Sequence, residues 1–379
     1  MISVYIFGAG QYGKEVLKQL NNLEGIVVVA FIDNNPVCQN KKINGIECIS
    51  VDEAVKRGAQ NETVLVSPIQ NSEIVRQLES LNFKRVLCVS EWIKSVQKYL
   101  PVTLEESDYI HAQPFNCFDS PYPDIVEIHK REQEIFDRSK EVLEIDFNVD
   151  RQLELAEKMA SISLPEWSAK KKENGYRYYY DNSYFCKGSA DILYYMMRIV
   201  KPQKIIEVGS GFSTAVMLDT NENYFNNSIK LVSIEPRAQR LKSLLKLEDN
   251  LQIYEKDLQE IPVSYFETLE ENDILFIDSS HVSKIDSDVN YLFFEILPRL
   301  KKGVYIHFHD IFYPFVYLKH WIYEGRAYNE MYVLRAFLMN NNRYSIQFFG
   351  EMLESCYKEK MCAKLIGNCS GSIWIRKDA

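Results

Sequence analysis

Hydrophobic positions along this chain fall into runs of strand length that alternate with helical stripes, and the alternation occurs twice. The first residues, SVYIFGAGQYGKEVLKQL, pass from an apolar strand through a glycine turn into a helix whose Val16, Leu17 and Leu20 form one apolar stripe. A second strand, IVVVAFIDNNP, ends in Asp33. DEAVKRG predicts a short helix capped by Asp52, and TVLVSP and RVLCVS predict two further strands. Together these predict a small doubly wound sheet closing near residue 95.

From Tyr99 to about Gly175 the pattern changes. Pro101, Pro114, Pro121 and Pro123 predict loop, followed by a charged helix near 124–143 and another near 150–160, a linker with a helical cap. The tyrosine-rich NGYRYYYDNSYF, 174–185, reads either as a buried aromatic seam or as the wall of a binding cleft. The βα alternation then restarts. KIIEVGS, LVSIEP, LQIYEKD, DILFIDSS and GVYIHFHD read as strands, with helices from about Ser213, through RAQRLKSLLK and through NYLFFEILPRL. A helix over about 328–339 and two late strands, YSIQFFG and GSIWIRK, follow. The expected fold class is α/β: two tandem Rossmann-like doubly wound domains, 1–95 and 187–379, joined by a linker and helical cap over 96–186. The two halves differ in sequence, so no repeat array is indicated.

Composition narrows the partners. The chain has 379 residues, 46% of them hydrophobic, enough for two cores and too many for one. With a net charge of -9 and no dense Lys/Arg block, nucleic acid is not an expected partner, and a small or neutral substrate is. No apolar run approaches the about 20 residues of a membrane span. The eight cysteines lack a C-x-x-C pair, and no secretory signal stands before them, so they read as reduced thiols of a cytoplasmic protein. The cluster Cys356, Cys362 and Cys369 matches no zinc spacing, and a homo-oligomer is compatible with the sequence.

Chemistry concentrates at the predicted strand ends of the second half. KIIEVGS delivers Glu207, Gly209, Ser210 and Gly211, with Ser213 and Thr214 opening a helix. Glycines there admit a ligand to the backbone, and the helix start offers free N–H groups. The lysine of a phosphate loop is missing. Instead Glu235 ends LVSIEP, where a carboxylate holds ribose hydroxyls, and Asp257 ends LQIYEKD on the adenine side. Acids at successive strand ends repel a pyrophosphate and suit a cofactor with ribose, adenine and a positive sulfonium. The ordered set E-V-G-S-G, S-I-E-P, K-D and F-I-D resembles the class I methyltransferases over about residues 187–350. That resemblance implies S-adenosylmethionine as cofactor, with Glu207, Gly209, Ser210, Gly211, Ser213, Glu235, Asp257 and Asp278 around it.

Three of the six histidines, His281, His307 and His309, lie beside strand ends. Asp278, His309 and Asp310 together could hold one divalent ion, leaving positions for water and substrate oxygens. An alcohol must lose its proton as it attacks a sulfonium methyl, and a metal lowers its pKa. His281, three residues after Asp278, is the candidate general base. His307 reads as a capping or buried structural histidine.

F-I-D-S-S-H, then S-D-V-N and I-H-F-H-D-I-F, is similar to the macrocin and mycinamicin type of sugar O-methyltransferase. The resemblance implies magnesium on a strand-end aspartate and a later acidic pair, with a histidine base, and Asp278, Asp310 and His281 match. His309 stands where an acid is expected; imidazole favours manganese, iron or zinc over magnesium. It also implies sugar or polysaccharide chemistry. Glu324, Arg326, Asn329, Glu330 and Arg335 read as a polar set for sugar hydroxyls or as surface pairs. Asp286 and Asp288 read as caps of the helix that follows them or as residues near the site.

In the first half, Gly8, Gly10 and Gly13 form G-x-G-x-x-G between a strand and a helix, with Asp33 twenty residues after Gly13. This resembles the small Rossmann-like domains attached to surface-polysaccharide enzymes and nucleotide-sugar modifying proteins. It implies a nucleotide or nucleotide-sugar ligand, with an empty structural unit as the alternative. The leading expectation is a metal-assisted O-methyltransferase acting on a sugar or glycoconjugate hydroxyl. The alternatives are methylation of a small non-sugar alcohol or phenol, an NAD-linked oxidoreductase using the first domain, and a binding-only scaffold. No Tyr-x-x-x-Lys follows the first domain, and a scaffold has no need of Asp278, His281 and Asp310.

Overall fold

The computed structural model describes residues 2–21, 25–67, 72–88, 121–170, 175–367 and 370–379. The expected boundary at 95 and the loop to residue 120, with Pro101, Pro114 and Cys117, lie outside the described residues, as do Asn174 and Cys369. The chain divides into two compact units, residues 1–131 with 320–326 and residues 132–319 with 327–379. The first unit thus runs on to Arg131 and takes in a short late segment, whereas the hydrophobic pattern ended it near 95.

In the first unit, strands β1 (Ile2–Phe7), β2 (Ile26–Ile32), β3 (Lys41–Ile43), β4 (Ile46–Ile49), β5 (Thr63–Val66) and β6 (Arg85–Cys88) form one sheet in the order β3-β4-β2-β1-β5-β6. All neighbours are parallel except the β3/β4 hairpin, which the pattern did not predict. Its turn, Asn44–Gly45, has φ of 48° and 86°, the left-handed pair that a two-residue hairpin requires. Alternation along β1 sends Val4 and Ile6 against Val16, Leu17 and Leu20, and Tyr5 and Phe7 against Val64 and Leu78 on the other face. Helix Val51–Lys56 is capped by Ser50, whose Oγ accepts from the Glu53 N–H at 3.2 Å. Asp52, the expected cap, lies one turn position inside the helix.

The second unit contains β7 (Lys204–Val208), β8 (Lys230–Ile234), β9 (Gln252–Tyr254), β10 (Ile274–Ile277), β11 (Tyr305–His309), β12 (Tyr344–Phe348) and β13 (Ser372–Lys377) in the order β12-β13-β11-β10-β7-β8-β9. Strands β7 to β11 are parallel, and β13 enters antiparallel between β11 and β12. The chain leaves β7 toward β8 and β9, then returns to build β10 on the opposite side. The carboxyl ends of β7 and β10 therefore flank the switch point where ligands of open α/β sheets bind.

Local corrections follow from competing caps and packing. The charged helix expected over 124–143 forms only as Ile125–Lys130 and Glu132–Ile135, and RAQRLKSLLK is helical only over Gln239–Lys242. NYLFFEILPRL forms Asp288–Tyr291, a π-helical stretch Leu292–Ile296 and Leu297–Arg299. Its cap is Ser287, whose Oγ accepts from the Asn290 N–H, and neither Asp286 nor Asp288.

The tyrosine-rich segment is pinned by a buried ion network. Arg177 Nη1 donates to Asp219 at 2.8 Å and Glu222 at 2.7 Å, and Nε donates to Asp249 at 2.8 Å. The backbone N–H groups of Arg177 and Tyr178 also donate to Asp219. Tyr178 and Phe185 are buried, Tyr180 and Tyr184 exposed, so the segment is partly seam and partly surface. Arg177→Ala leaves Asp219, 1% exposed, without its countercharge. The expected loss is about 3–5 kcal/mol in urea unfolding. An unchanged midpoint would show that the network does not hold the segment.

Candidate functional site

Gly209 follows β7 with φ of 79°, and a Cβ there would stand 1.7 Å from the Asp278 carbonyl oxygen. Only glycine allows the two strand ends this close. Beside it, Glu235 Oε2 accepts from the Ser210 N–H at 3.0 Å and Oε1 from the Arg237 N–H at 2.8 Å. Each oxygen keeps a further lone pair, and the side chain is half-buried. Asp257 is exposed at the end of β9.

Glu207 and Ser213, both expected around the cofactor, hydrogen-bond to each other. Glu207 is buried and accepts from Ser213 Oγ at 2.6 Å, Thr214 Oγ1 at 2.5 Å and Ser233 Oγ at 3.1 Å. Thr214 Oγ1 in turn accepts from the Gly211 N–H. Burial pushes the Glu207 carboxyl up to about 7, although the three hydroxyls pull it down. The pair braces the glycine loop from beneath, because the hydroxyls on the first turn of helix Phe212–Phe225 satisfy the carboxylate.

Asp278 follows β10, His309 ends β11, and Asp310 follows it. Their ligand-type atoms all lie within 4.8 Å of one another. His281 Nε2 is 3.4 Å from both Asp278 Oδ1 and Asp310 Oδ2, and its Nδ1 is 2.8 Å from Glu330 Oε2. His309 Nδ1 lies 3.2 Å from Asp310 Oδ1 and 3.5 Å from Asp278 Oδ1, without the alignment of a hydrogen bond. On its far side, His309 Nε2 is 3.1 Å from Ser189 Oγ, and Ser189 donates to Ser370 Oγ at 2.8 Å. A hydroxyl that donates onward accepts from Nε2–H, so the neutral ring turns the lone pair of Nδ1 toward the two aspartates.

The electrostatics reflect this crowding. Burial opposes protonation of His309, but Asp278 and Asp310 overcome it and push the ring up to about 10. Burial likewise opposes protonation of His281, and Asp278, Glu330 and Asp310 raise it well above its ordinary value. Asp278 is held well below the usual carboxylate range: burial favours its neutral form, and the two imidazoles prevail. His281 and Asp310 have left-handed φ of 60° and 58°, a conformation costly for side-chain-bearing residues and concentrated at functional sites. The His281 carbonyl accepts from the N–H groups of Asn329 and Glu330, which fixes its loop.

Glu330 is therefore not one of a surface polar set: it is 1% exposed and orients His281. Asn329 bonds the Ser283 backbone, Glu324 and Arg326 pair with each other and belong to the first unit, and Arg335 lies on helix Glu330–Leu338. Asp288 accepts from both the N–H and Oγ of Ser280. His307 is buried and lies flat on Phe276, with ring centroids 3.9 Å apart. Ser189 and Glu330 have no signature in the local pattern, since their partners are 120 and 49 residues away.

In the first unit, Gly8 has φ of 96°, and a Cβ on Gly13 would stand 1.9 Å from the Gly8 carbonyl oxygen. Asp33 Oδ2 accepts from the Ala9 N–H at 2.7 Å, and Oδ1 accepts from the Asn35 N–H. Gly10 is exposed at the same turn. A cavity of about 580 Å³ lined by Glu144, Asp146, Asn340 and Tyr344 lies in the second unit. Tyr344 pairs with Lys377 at the end of the sheet opposite the acidic cluster, so this cavity is not the site described above.

Residues 206–311 match a family described as a methyltransferase domain. An uncharacterized protein of Archaeoglobus fulgidus is 35% identical over 166 residues, 42% of this chain and 74% of that protein. Among solved structures, methyltransferase FkbM from Methylobacillus flagellatus KT is 12% identical over 91% of this chain and 85% of its own, with a TM-score of 0.40. The S-adenosylhomocysteine-bound Podospora anserina methyltransferase PaMTH1 is 14% identical over 69% of this chain and 99% of its own, with a TM-score of 0.36. The chain belongs to the same family as the archaeal protein, and its second unit is a class I S-adenosylmethionine-dependent methyltransferase domain.

Proposed function

We propose that the second unit transfers a methyl group from S-adenosylmethionine to a hydroxyl of a sugar or glycoconjugate, with His281 as general base and a divalent ion on Asp278, His309 and Asp310. The observation that carries the reading is the orientation of His281: Nδ1 tied to buried Glu330, Nε2 facing the aspartates at 3.4 Å. The sugar class rests on the resemblance of the F-I-D-S-S-H and I-H-F-H-D-I-F segments. Gly209, Ser210, Gly211 and Glu235 would hold the cofactor, with Asp257 on its adenine side.

The donor set fits a metal. Two carboxylates and an imidazole nitrogen without a hydrogen-bond partner among the described residues converge, and Ser189 supports the ligand from behind. An ion bound there would acidify the acceptor hydroxyl. The rest is done by the chain. Glu330 accepts the Nδ1–H of His281 and keeps Nε2 basic; Nε2 takes the hydroxyl proton as that oxygen attacks the methyl carbon. The carbon–sulfur bond breaks, leaving a methyl ether, S-adenosylhomocysteine and a proton on His281. In the first unit, the turn Gly8–Gly13 with Asp33 supports a nucleotide or nucleotide-sugar ligand.

His281→Ala should abolish transfer yet leave S-adenosylhomocysteine affinity within about twofold, because the base meets only the acceptor proton. Parallel loss of both in calorimetry and turnover assays would sink its role. Metal affinity has a definite sign with pH. His309 is protonated up to about 10 in the metal-free cluster and must lose that proton to ligate, so manganese binding should tighten from pH 6 to 8. The expected slope is roughly tenfold per pH unit for one displaced proton. A flat profile, or unchanged binding in Asp310→Ala, would remove the metal from the mechanism.

A further inference from the structure

The cofactor loop has a cation beside it that neither the acidic cluster nor the ribose acid uses. Arg240, on helix Gln239–Lys242 after β8, lies along Gly211: a Cβ on that glycine would be 3.3 Å from Arg240 Cδ and 3.9 Å from Nη1. Its guanidinium carbon is 3.6 Å from the centroid of the Tyr184 ring. Tyr184 in turn stacks on Phe212 with an interplanar angle of 11° and centroids 6.1 Å apart, and Tyr179 meets Phe212 edge-on at 5.1 Å. Phe212 opens the helix that follows the glycine loop. The stack therefore holds the guanidinium over the Tyr184 ring at the loop's edge.

Arg240 is exposed and, like Arg237 beside it, has no carboxylate at ion-pair distance among the described residues. The surrounding strand ends carry Glu235, Asp257, Asp278 and Asp310. That field suits the sulfonium and the amino group of S-adenosylmethionine and disfavours its α-carboxylate. A guanidinium presents two parallel N–H donors to a carboxylate, and none of the acids at this site can.

We propose that Arg240, held over the Tyr184 ring and given room by Gly211, binds the α-carboxylate of S-adenosylmethionine. The proposal rests on the methyltransferase reading of the second unit and is independent of any metal. Its ligand contact is confined to the amino-acid end of the cofactor, which makes it separable from the ribose contact at Glu235.

The test is calorimetric titration of the full chain with S-adenosylhomocysteine and with 5′-methylthioadenosine, which keeps the adenine, ribose and thioether and lacks the amino-acid end. Arg240→Gln should weaken S-adenosylhomocysteine about 10- to 100-fold, the range for a lost charge-assisted hydrogen bond, and change methylthioadenosine by less than about twofold. Arg240→Lys should recover part of the loss, since it keeps the charge without the fork. Glu235→Ala should weaken both ligands. Equal losses for the two ligands in Arg240→Gln, or no loss for S-adenosylhomocysteine, would overturn the assignment. If the unaltered chain bound neither ligand, the cofactor reading beneath it would fall as well.

Discussion

Strands β7 and β10 end side by side because residue 209 has no side chain. The Asp278 carbonyl occupies the volume that a Cβ would take, at 1.7 Å, and the two strand ends are tied there by the Asp278 N–H donating to the Val208 carbonyl, while the Gly209 N–H donates across to Ile234 of β8. On one side of this contact lies the glycine loop 209–211, and on the other begins the segment Asp278–His281. Methyl transfer needs the sulfonium carbon, the acceptor oxygen and the base aligned to within fractions of an ångström. A single backbone approach thus sets the spacing between the glycine loop and the segment that carries His281, and Glu207, with Ser213 and Thr214, braces the loop.

The second constraint is charge. Asp278, Asp310 and Glu330 face two imidazoles, and the carboxylates outnumber the rings. In the metal-free protein protons answer this imbalance, which is why His281 and His309 both rise against the effect of burial. A divalent cation would take the place of those protons in balancing the carboxylates. The histidine at 309, where an acid belongs by resemblance, is consistent with the same logic. A third carboxylate would add to the repulsion, whereas a ring held by Ser189 offers a lone pair at no cost in charge.

The sheet of the second unit was legible because each strand is a short apolar run ending in a polar residue, so Glu235, Asp278, His309 and Asp310 fall at strand ends by inspection. The direction of a side chain at such an end was not legible. Glu207 sits in a motif whose acid is read as facing a ligand, but two hydroxyls on the following turn of helix draw it inward. Asp52 and Ser50 compete for one cap, and the pattern does not show that Ser50 has the extended backbone a cap needs. Glu330, Ser189 and Arg240 act through contacts that the fold alone creates. Residues 320–326 group with the first unit although they are far from it in sequence, which no local pattern signals.

The two units close their glycine turns in the same way, which bears on how an acid after the second strand should be interpreted. Asp33 takes the Ala9 N–H at 2.7 Å, and Glu235 takes the Ser210 N–H at 3.0 Å. In each case the carboxylate completes a turn whose backbone donor would otherwise lack a partner, before any ligand arrives. Such an acid is therefore a structural necessity first, and its presence after a glycine motif does not by itself identify a ribose. What distinguishes the second unit is the set of further groups brought to the neighbouring strand ends: a histidine with its own carboxylate, a cluster of two aspartates and an imidazole, and an arginine stacked on a tyrosine. The described residues of the first unit place no comparable set beside Asp33.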